Sequence, residues 1–327
     1  MRVGKHYLVT GSSGFIGRHL SKRLAAEGGN VIGVDLSHES YGRSDCDGRF
    51  RKVAADYRDL EEDMLAGVDV IFHLAGAHLQ TSISESEYWD INVHGLRPLL
   101  EAAKRNGVNR FVHVSSVGVY GNLKEWPADE NSPCTPSNIY GRTKLAGEIE
   151  VKHFCEKTHF PIVIVRPAWV YGPGCPRTLK LYRTLRKKRF VMIGDCRNPR
   201  HPIYIEDMVD ALLLAGLSNT VCGETVVVGG DRALTTAEVL DCFCHTLDLP
   251  KPRLKLPMKA GELMATGIES LFALSGKNPP VSRRSLEFFT TCNAFDISKA
   301  RKMLGFNPSF SFENGVKTMR PWLEDNL

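Results

Sequence analysis

The chain has little that would mark a membrane, secreted or metal-holding protein. No apolar run approaches the roughly 18 residues needed to cross a bilayer. No charged leader, apolar stretch and cleavage site precede the first strand candidate, "HYLVTG", so a cytoplasmic protein is expected. The nine cysteines (46, 134, 155, 175, 196, 222, 242, 244 and 292) are odd in number and contain no Cys-x-x-Cys pair. That argues against a disulfide framework and against zinc, and free thiols with no bound metal are expected. A net charge of +5 is too mild to announce a nucleic-acid partner. Positive charge does gather in "KLYRTLRKKR" (Lys180 to Arg189), on what reads as one helix, either as a solvated face or as a groove for a diphosphate. Internal repeats and low-complexity segments are also absent.

What is present is ordinary globular composition: 327 residues, 43% hydrophobic and 24% charged, enough for a large core and two lobes. Short β-branched runs ("HYLVT", "VIGVD", "DVIFHLA", "RFVHVSS", "IVIVRP") alternate with amphipathic stretches through about residue 170. That rhythm predicts an α/β fold, a Rossmann-type doubly wound parallel sheet covered on both faces. Residues 1–166 are assigned to this domain, rejoined by 203–230, with 167–202 and 231–327 as a smaller, interleaved C-terminal substrate lobe. Helices are expected near 206–217, 235–247, 258–275, 296–303 and 312–325, and strands at "RFVMIG" and "ETVVVGG". The stretch "GELMATGIESLFALSG" (Gly261 to Gly276) is apolar on one side. Core packing is the expectation there, with a lid, a partner face or a membrane-surface helix as alternatives.

"HYLVTGSSGFIG" sets Gly11, Gly14 and Gly17 between the first strand and the first helix. Gly11 permits a tight turn, Gly14 lets backbone approach a pyrophosphate, and Gly17 lets the helix lie close on the sheet with its N-terminus toward the anion. Phe15 and Ile16 belong to the same loop. The second strand ends in Asp35, whose carboxylate can accept both hydroxyls of an adenosine ribose and would repel a 2'-phosphate, so NAD is expected over NADP. "AADYRD" offers Asp56 and Tyr57 near the adenine edge, and "HLAGA" brings Leu74, Ala75 and Gly76 beside the cofactor's phosphates and ribose.

In "SNIYGRTKLAGE", Tyr140 and Lys144 stand at i and i+4 on one helical face, so a cation can sit beside a phenol and favour its ionised form. "HVSSVGVYG" ends the fifth strand with two serines about twenty-five residues earlier, at the carboxyl edge of the sheet where ligands bind. A serine, a tyrosine and a lysine then converge on one nicotinamide site.

The chain resembles the extended branch of the short-chain dehydrogenase/reductases, which holds nucleotide-sugar epimerases and dehydratases and 3β-hydroxysteroid-dehydrogenase-like enzymes. The resemblance spans nearly the whole chain. Its markers are "TGSSGFIG", "VD" at Asp35, "HLAG", "NVHG" with Asn92, "SSVGVYG", "YGRTK", "RPAWVYGPG" with Pro167, and "HPIYIEDM". It implies Ser116 as the catalytic serine, Tyr140 as acid and base, and Lys144 as the residue that lowers the phenol's pKa and holds the nicotinamide ribose. It implies a homodimer built on the helix of residues 86 to 106 and the Tyr140 helix.

Arg200, seven residues before Asp207, matches the arginine that grips the sugar-nucleotide diphosphate in epimerase relatives. Trp169 departs from the pattern, because nucleotide-sugar enzymes place an asparagine there and tryptophan supplies an apolar wall with a single donor. Val117 and Gly118 stand where dehydratases have an aspartate and a glutamate, which disfavours dehydration. The reading is an NAD-dependent nucleotide-sugar epimerase. The alternatives are a dehydrogenase of a bulky apolar alcohol, steroid-like or isoprenoid, and a non-catalytic NAD-binding regulator.

Overall fold

The computed structural model describes residues 4–38, 48–78, 83–218, 222–273 and 283–327. Cys46 and the end of the Gly261 to Gly276 stretch lie outside them.

The apolar runs form a seven-stranded parallel sheet. Its strands are β1 (His6–Thr10), β2 (Asn30–Asp35), β3 (Phe50–Ala54), β4 (Val70–His73), β5 (Arg110–Val114), β6 (Ile162–Pro167) and β7 (Thr225–Val228). They lie in the order β7-β6-β5-β4-β1-β2-β3, so the direction of winding reverses beside β1. Ligands bind at such a reversal, outside the carboxyl ends of the strands. β4, β5, β6 and β7 are buried at every residue, because apolar layers cover both sheet faces. That is why these strands read as continuous apolar runs rather than alternating ones.

The helices are α1 (Phe15–Ala26), α2 (Glu85–Trp89), α3 (Leu96–Arg105), α4 (Ile139–Thr158), α5 (Pro176–Arg186), α6 (Ile205–Leu217), α7 (Thr236–Thr246), α8 (Met258–Ala273), α9 (Arg283–Thr290), α10 (Ser298–Leu304), α11 (Phe312–Thr318) and α12 (Arg320–Asp325). The helix expected over 86–106 is broken: a π-helical turn, Asp90–His94, separates α2 from α3. The helix expected over 312–325 is also two, with Pro321 in the first turn of the second, where a missing N–H costs nothing.

Beyond β6 the chain makes three two-stranded pairs: Trp169–Tyr171 with Pro202–Tyr204, Pro199–Arg200 with Leu234–Thr235, and Met192–Ile193 with Lys255–Leu256. An aromatic cluster including Tyr171, Tyr204, Phe243 and Phe312 forms the core here. The boundary at residue 231 is too simple. Ile297, Ala300, Leu304 and Phe306 pack into the core on the sheet, so the α10 region covers the sheet.

α8 packs into a core as expected: Ala265 is buried in a cluster with Ile193, Cys196, Leu286 and Phe289, and Met258 and Met264 pack against it. Gly261 lies so close to Ile193 that a Cβ would meet it at 2.5 Å, whereas Leu263 on the other side of the helix is 78% exposed.

Candidate active site

The turn after β1 is built for close approach. Gly11 has φ 69°, and a Cβ there would stand 2.7 Å from the Ala75 nitrogen. A Cβ on Gly17 would stand 2.1 Å from the Gly11 carbonyl oxygen, so α1 starts directly on this loop. Gly14 is the N-cap of α1 and makes no side-chain cap hydrogen bond, leaving the helix amides and dipole to an anion. Phe15 and Ile16 turn their side chains into the apolar cluster of the smaller lobe, so their backbone, not their side chains, belongs to the loop.

Asp35 accepts from the Ser13 amide at 2.9 Å and from the Leu36 amide at 2.8 Å, which fixes its carboxylate at the rim of the same loop. Leu36 beside it is an exposed apolar side chain. Its signal is its place directly after Asp35.

Two expected adenine neighbours behave differently. Asp56 is engaged by Arg58 at 2.6 Å, which holds its carboxyl below the usual range. Tyr57 is buried, edge-on to His73 at 4.7 Å, with its hydroxyl donating to the Ile91 carbonyl. A phenol with one buried acceptor is more stable inside than at a loop surface, and Tyr57 is core.

Leu74 donates its amide to the Thr10 carbonyl at 3.1 Å and Ala75 to the Thr10 hydroxyl at 3.2 Å, seating the loop after β4 against the glycine turn. A Cβ on Gly76 would lie 2.9 Å from Asn92 Oδ1 and 3.4 Å from Lys144 Nζ. Asn92 sits on the π turn and is buried. It accepts from the Ala77 amide at 2.9 Å and donates to the Ala77 carbonyl at 3.1 Å and to Thr143 Oγ1 at 2.9 Å. One amide thereby joins the loop after β4 to α4.

Ser116, Tyr140 and Lys144 are brought to this edge by β5 and α4. Ser116 Oγ accepts from the Gly118 amide at 3.0 Å. A Cβ on Gly118 would lie 3.3 Å from Ser116 Oγ and 3.4 Å from Tyr140 Cε1, so the missing side chain lets the two approach. His78 meets the Tyr140 ring edge-on at 4.8 Å, and its Nε2 is 3.0 Å from Arg177 Nη2. Burial pushes the Tyr140 phenol up, and its hydrogen bond with Ser116 and the charge of Arg177 oppose that.

Lys144 donates to the Val114 carbonyl at 2.7 Å, is itself buried and has its pKa lowered to about 8 by that burial, with Glu148 opposing. Arg177 is a second cation beside the phenol, one that the spacing of Tyr140 and Lys144 does not reveal.

Glu148, one turn beyond Lys144, makes a bidentate pair with Arg166 of β6 at 2.9 and 2.6 Å, and Arg166 also donates to the Tyr120 hydroxyl at 2.7 Å. Both charges are buried and matched, which locks α4 to the sheet. Pro167 closes the same strand, opposite Val228.

Arg200 lies between two rings, 5.6 Å from the Trp169 centroid and 5.0 Å from that of Phe288. Burial lowers its pKa to about 10, Arg177 lowers it further, and Glu287 opposes. Its Nε has no hydrogen-bond partner, and among the described residues no carboxylate pairs with it. Arg177 stands beside the Tyr140 ring through His78, and its charge bears on Tyr140 and Arg200 alike, so the phenol and the guanidinium share one cationic neighbour. Phe288 arrives from a remote helix, and no local pattern marks it. No group of three or more His, Cys, Asp or Glu that could hold a metal occurs among the described residues.

The chain is similar to several known proteins along nearly its whole length. The UDP-glucose 4-epimerase of Mycolicibacterium smegmatis is 29% identical, over 94% of this chain and 95% of its own. The N-acetyl-alpha-D-glucosaminyl-diphospho-ditrans,octacis-undecaprenol 4-epimerase of Escherichia coli is 27% identical, over 96% and 94%. The solved UDP-N-acetylglucosamine 4-epimerase of Methanobrevibacter ruminantium superposes with TM-score 0.81 at 21% identity, covering 99% of this chain and 100% of its own, and shows the shared fold. Residues 7–229 match the NAD dependent epimerase/dehydratase family, and the chain belongs to that family of enzymes.

Proposed function

We propose that the protein is an NAD-dependent epimerase of a sugar carried on a diphosphate, with a nucleotide sugar as the preferred substrate. The observation that carries this is that the Tyr140 phenol and the Arg200 guanidinium, which no carboxylate pairs among the described residues, are both neighbours of Arg177. A guanidinium held by aromatic faces, with donors to spare, suits phosphate oxygens.

NAD, when bound, supplies the hydride acceptor and, in its oxidised form, a positive charge near the phenol. The residues fit it: the Gly11, Gly14 and Gly17 backbone would cradle the pyrophosphate, Asp35 the adenosine ribose with Leu36 beside the base, and Leu74 to Gly76 with Lys144 the nicotinamide ribose. Asp56 and Tyr57 would then bound the adenine pocket without side-chain contact. Ser116 holds the sugar oxygen, and Tyr140 takes its proton as the carbinol is oxidised and returns one as it is restored. A buried phenol is a poor base, so Arg177 and the cofactor's charge together must lower it. A substrate anchored at its diphosphate can present either face of the sugar to Tyr140, as epimerisation requires.

Trp169 and Phe288 favour a second reading, a dehydrogenase of a bulky apolar alcohol, because they set apolar rings against Arg200. The experiment is incubation with NAD and a panel of UDP-sugars. Product isomerisation without net absorbance of NADH supports epimerisation, NADH accumulating when a sterol or isoprenoid alcohol replaces the sugar supports the second reading, and silence with every sugar refutes the first.

The division into an NAD-binding domain and a substrate lobe is part of the same proposal, with α10 counted on the sheet side. So is a cytoplasmic homodimer. Exposed Trp89 on α2 and Ile149 on α4 support the two helices as its interface, and sedimentation as a monomer would refute it.

A further inference from the structure

The face formed by α8, the end of α5 and the short pair Met192–Ile193 with Lys255–Leu256 is apolar at its centre and basic around it. Leu254 and Leu263 stand 56% and 78% exposed. The backbone sets them beside one basic segment: the Met192 amide donates to the Leu254 carbonyl, and Gly261 of α8 rests on Ile193. Lys187, Lys188, Arg189, Arg253, Lys255 and Lys259 are all exposed. Among the described residues no carboxylate pairs with these six, and the acidic neighbours are Asp195, Glu262 and Glu269. Lys188 terminates α5 with φ 56°, a left-handed position that glycine usually takes, so a charged side chain is kept where backbone preference opposes it.

We propose that this face docks on an anionic lipid bilayer, with Leu254 and Leu263 entering the headgroup boundary and the basic segment meeting lipid phosphates. Two exposed leucines alone are ordinary surface, and the six exposed cations on the segments that carry and adjoin them select an anionic occupant over a second copy of this net-positive chain. Each Lys or Arg near such a surface adds about fivefold to partitioning. The face is also continuous with the site. Phe190, adjoining Arg189, packs against Phe288 at 6.5 Å, and Phe288 against Trp169 at 6.4 Å, the two rings that hold Arg200. No helix among the described residues is long and apolar enough to cross a membrane, so the contact is peripheral.

The test is co-sedimentation of the full chain with vesicles of phosphatidylcholine alone or mixed with phosphatidylglycerol. Binding should need phosphatidylglycerol, fall by more than about 100-fold when Lys187, Lys188 and Arg189 are all changed to Glu, fall with Leu263→Glu, and weaken with salt. These side chains are exposed, so thermal midpoints and turnover of a soluble nucleotide sugar should stay at wild-type values. Equal partition onto neutral vesicles, absence of binding, or a Leu263→Glu variant that changes oligomeric state instead would each overturn the proposal. Vesicle binding is read without turnover, so it stands or falls separately from the epimerase reading.

Discussion

Replacing Lys144 with methionine should stabilise the protein while abolishing its activity. A buried ammonium whose pKa falls from 10.5 to about 8 costs the folded state about 3 kcal/mol at neutral pH. Methionine fills a similar volume without charge but forfeits the hydrogen bond to the Val114 carbonyl, worth about 1 kcal/mol, so the net gain is about 2 kcal/mol. The sign of the pH dependence follows from the lowered value. At and below pH 7 the lysine is protonated in both states, and the full penalty applies. As pH rises from about 8 toward 10.5 the folded protein sheds the proton before the unfolded chain does, and wild-type stability recovers. Urea unfolding at pH 7 and near pH 10 should therefore show a variant advantage that shrinks with pH. An equal advantage at both, or a loss at pH 7, would mean that the ammonium is not paying a desolvation penalty.

Tyr140→Phe should lower turnover by several orders of magnitude while calorimetry shows NAD affinity nearly intact, since the acid and base is lost and the cofactor loops are not touched. Asp35→Ala should relax the preference for NAD over NADP, and unchanged selectivity would place the ribose contact elsewhere. Arg200→Met should raise KM for a nucleotide sugar at least tenfold and leave a lipid alcohol's KM unchanged, and steady-state kinetics with the two substrates separate these outcomes. Acid should destabilise the fold: His73, lowered to about 3, and His113, well below 6.5, are buried and neutral, so stability present above pH 6.5 falls as pH drops, by about 2 kcal/mol at pH 5 for His73, with His113 adding in the same direction. His113→Phe should reduce that slope in urea titrations at pH 7 and pH 5.

The sheet and its ligand edge were legible in the sequence because each strand is buried on both faces and the glycine turn is a local geometric demand. Ser116, Tyr140 and Lys144 were legible for the same reason, lying at the end of a strand and on one face of a helix. What was not legible depends on long-range packing. Spacing puts Tyr140 and Lys144 on one face, yet the Val114 carbonyl claims the ammonium. Arg177 and Phe288 come to the site from α5 and α9, and nothing local ties them to it. Tyr57 reads as a loop aromatic until the Ile91 carbonyl is seen to receive its hydroxyl. The apolar side of α8 has helical periodicity whether its occupant is protein or something else.

The Asn92 amide has a mechanical consequence. It grips both the loop after β4 and the helix carrying Tyr140, so a displacement of one is transmitted to the other. On the proposed mechanism, that single tether ties the spacing of the hydride's path to that of the proton's.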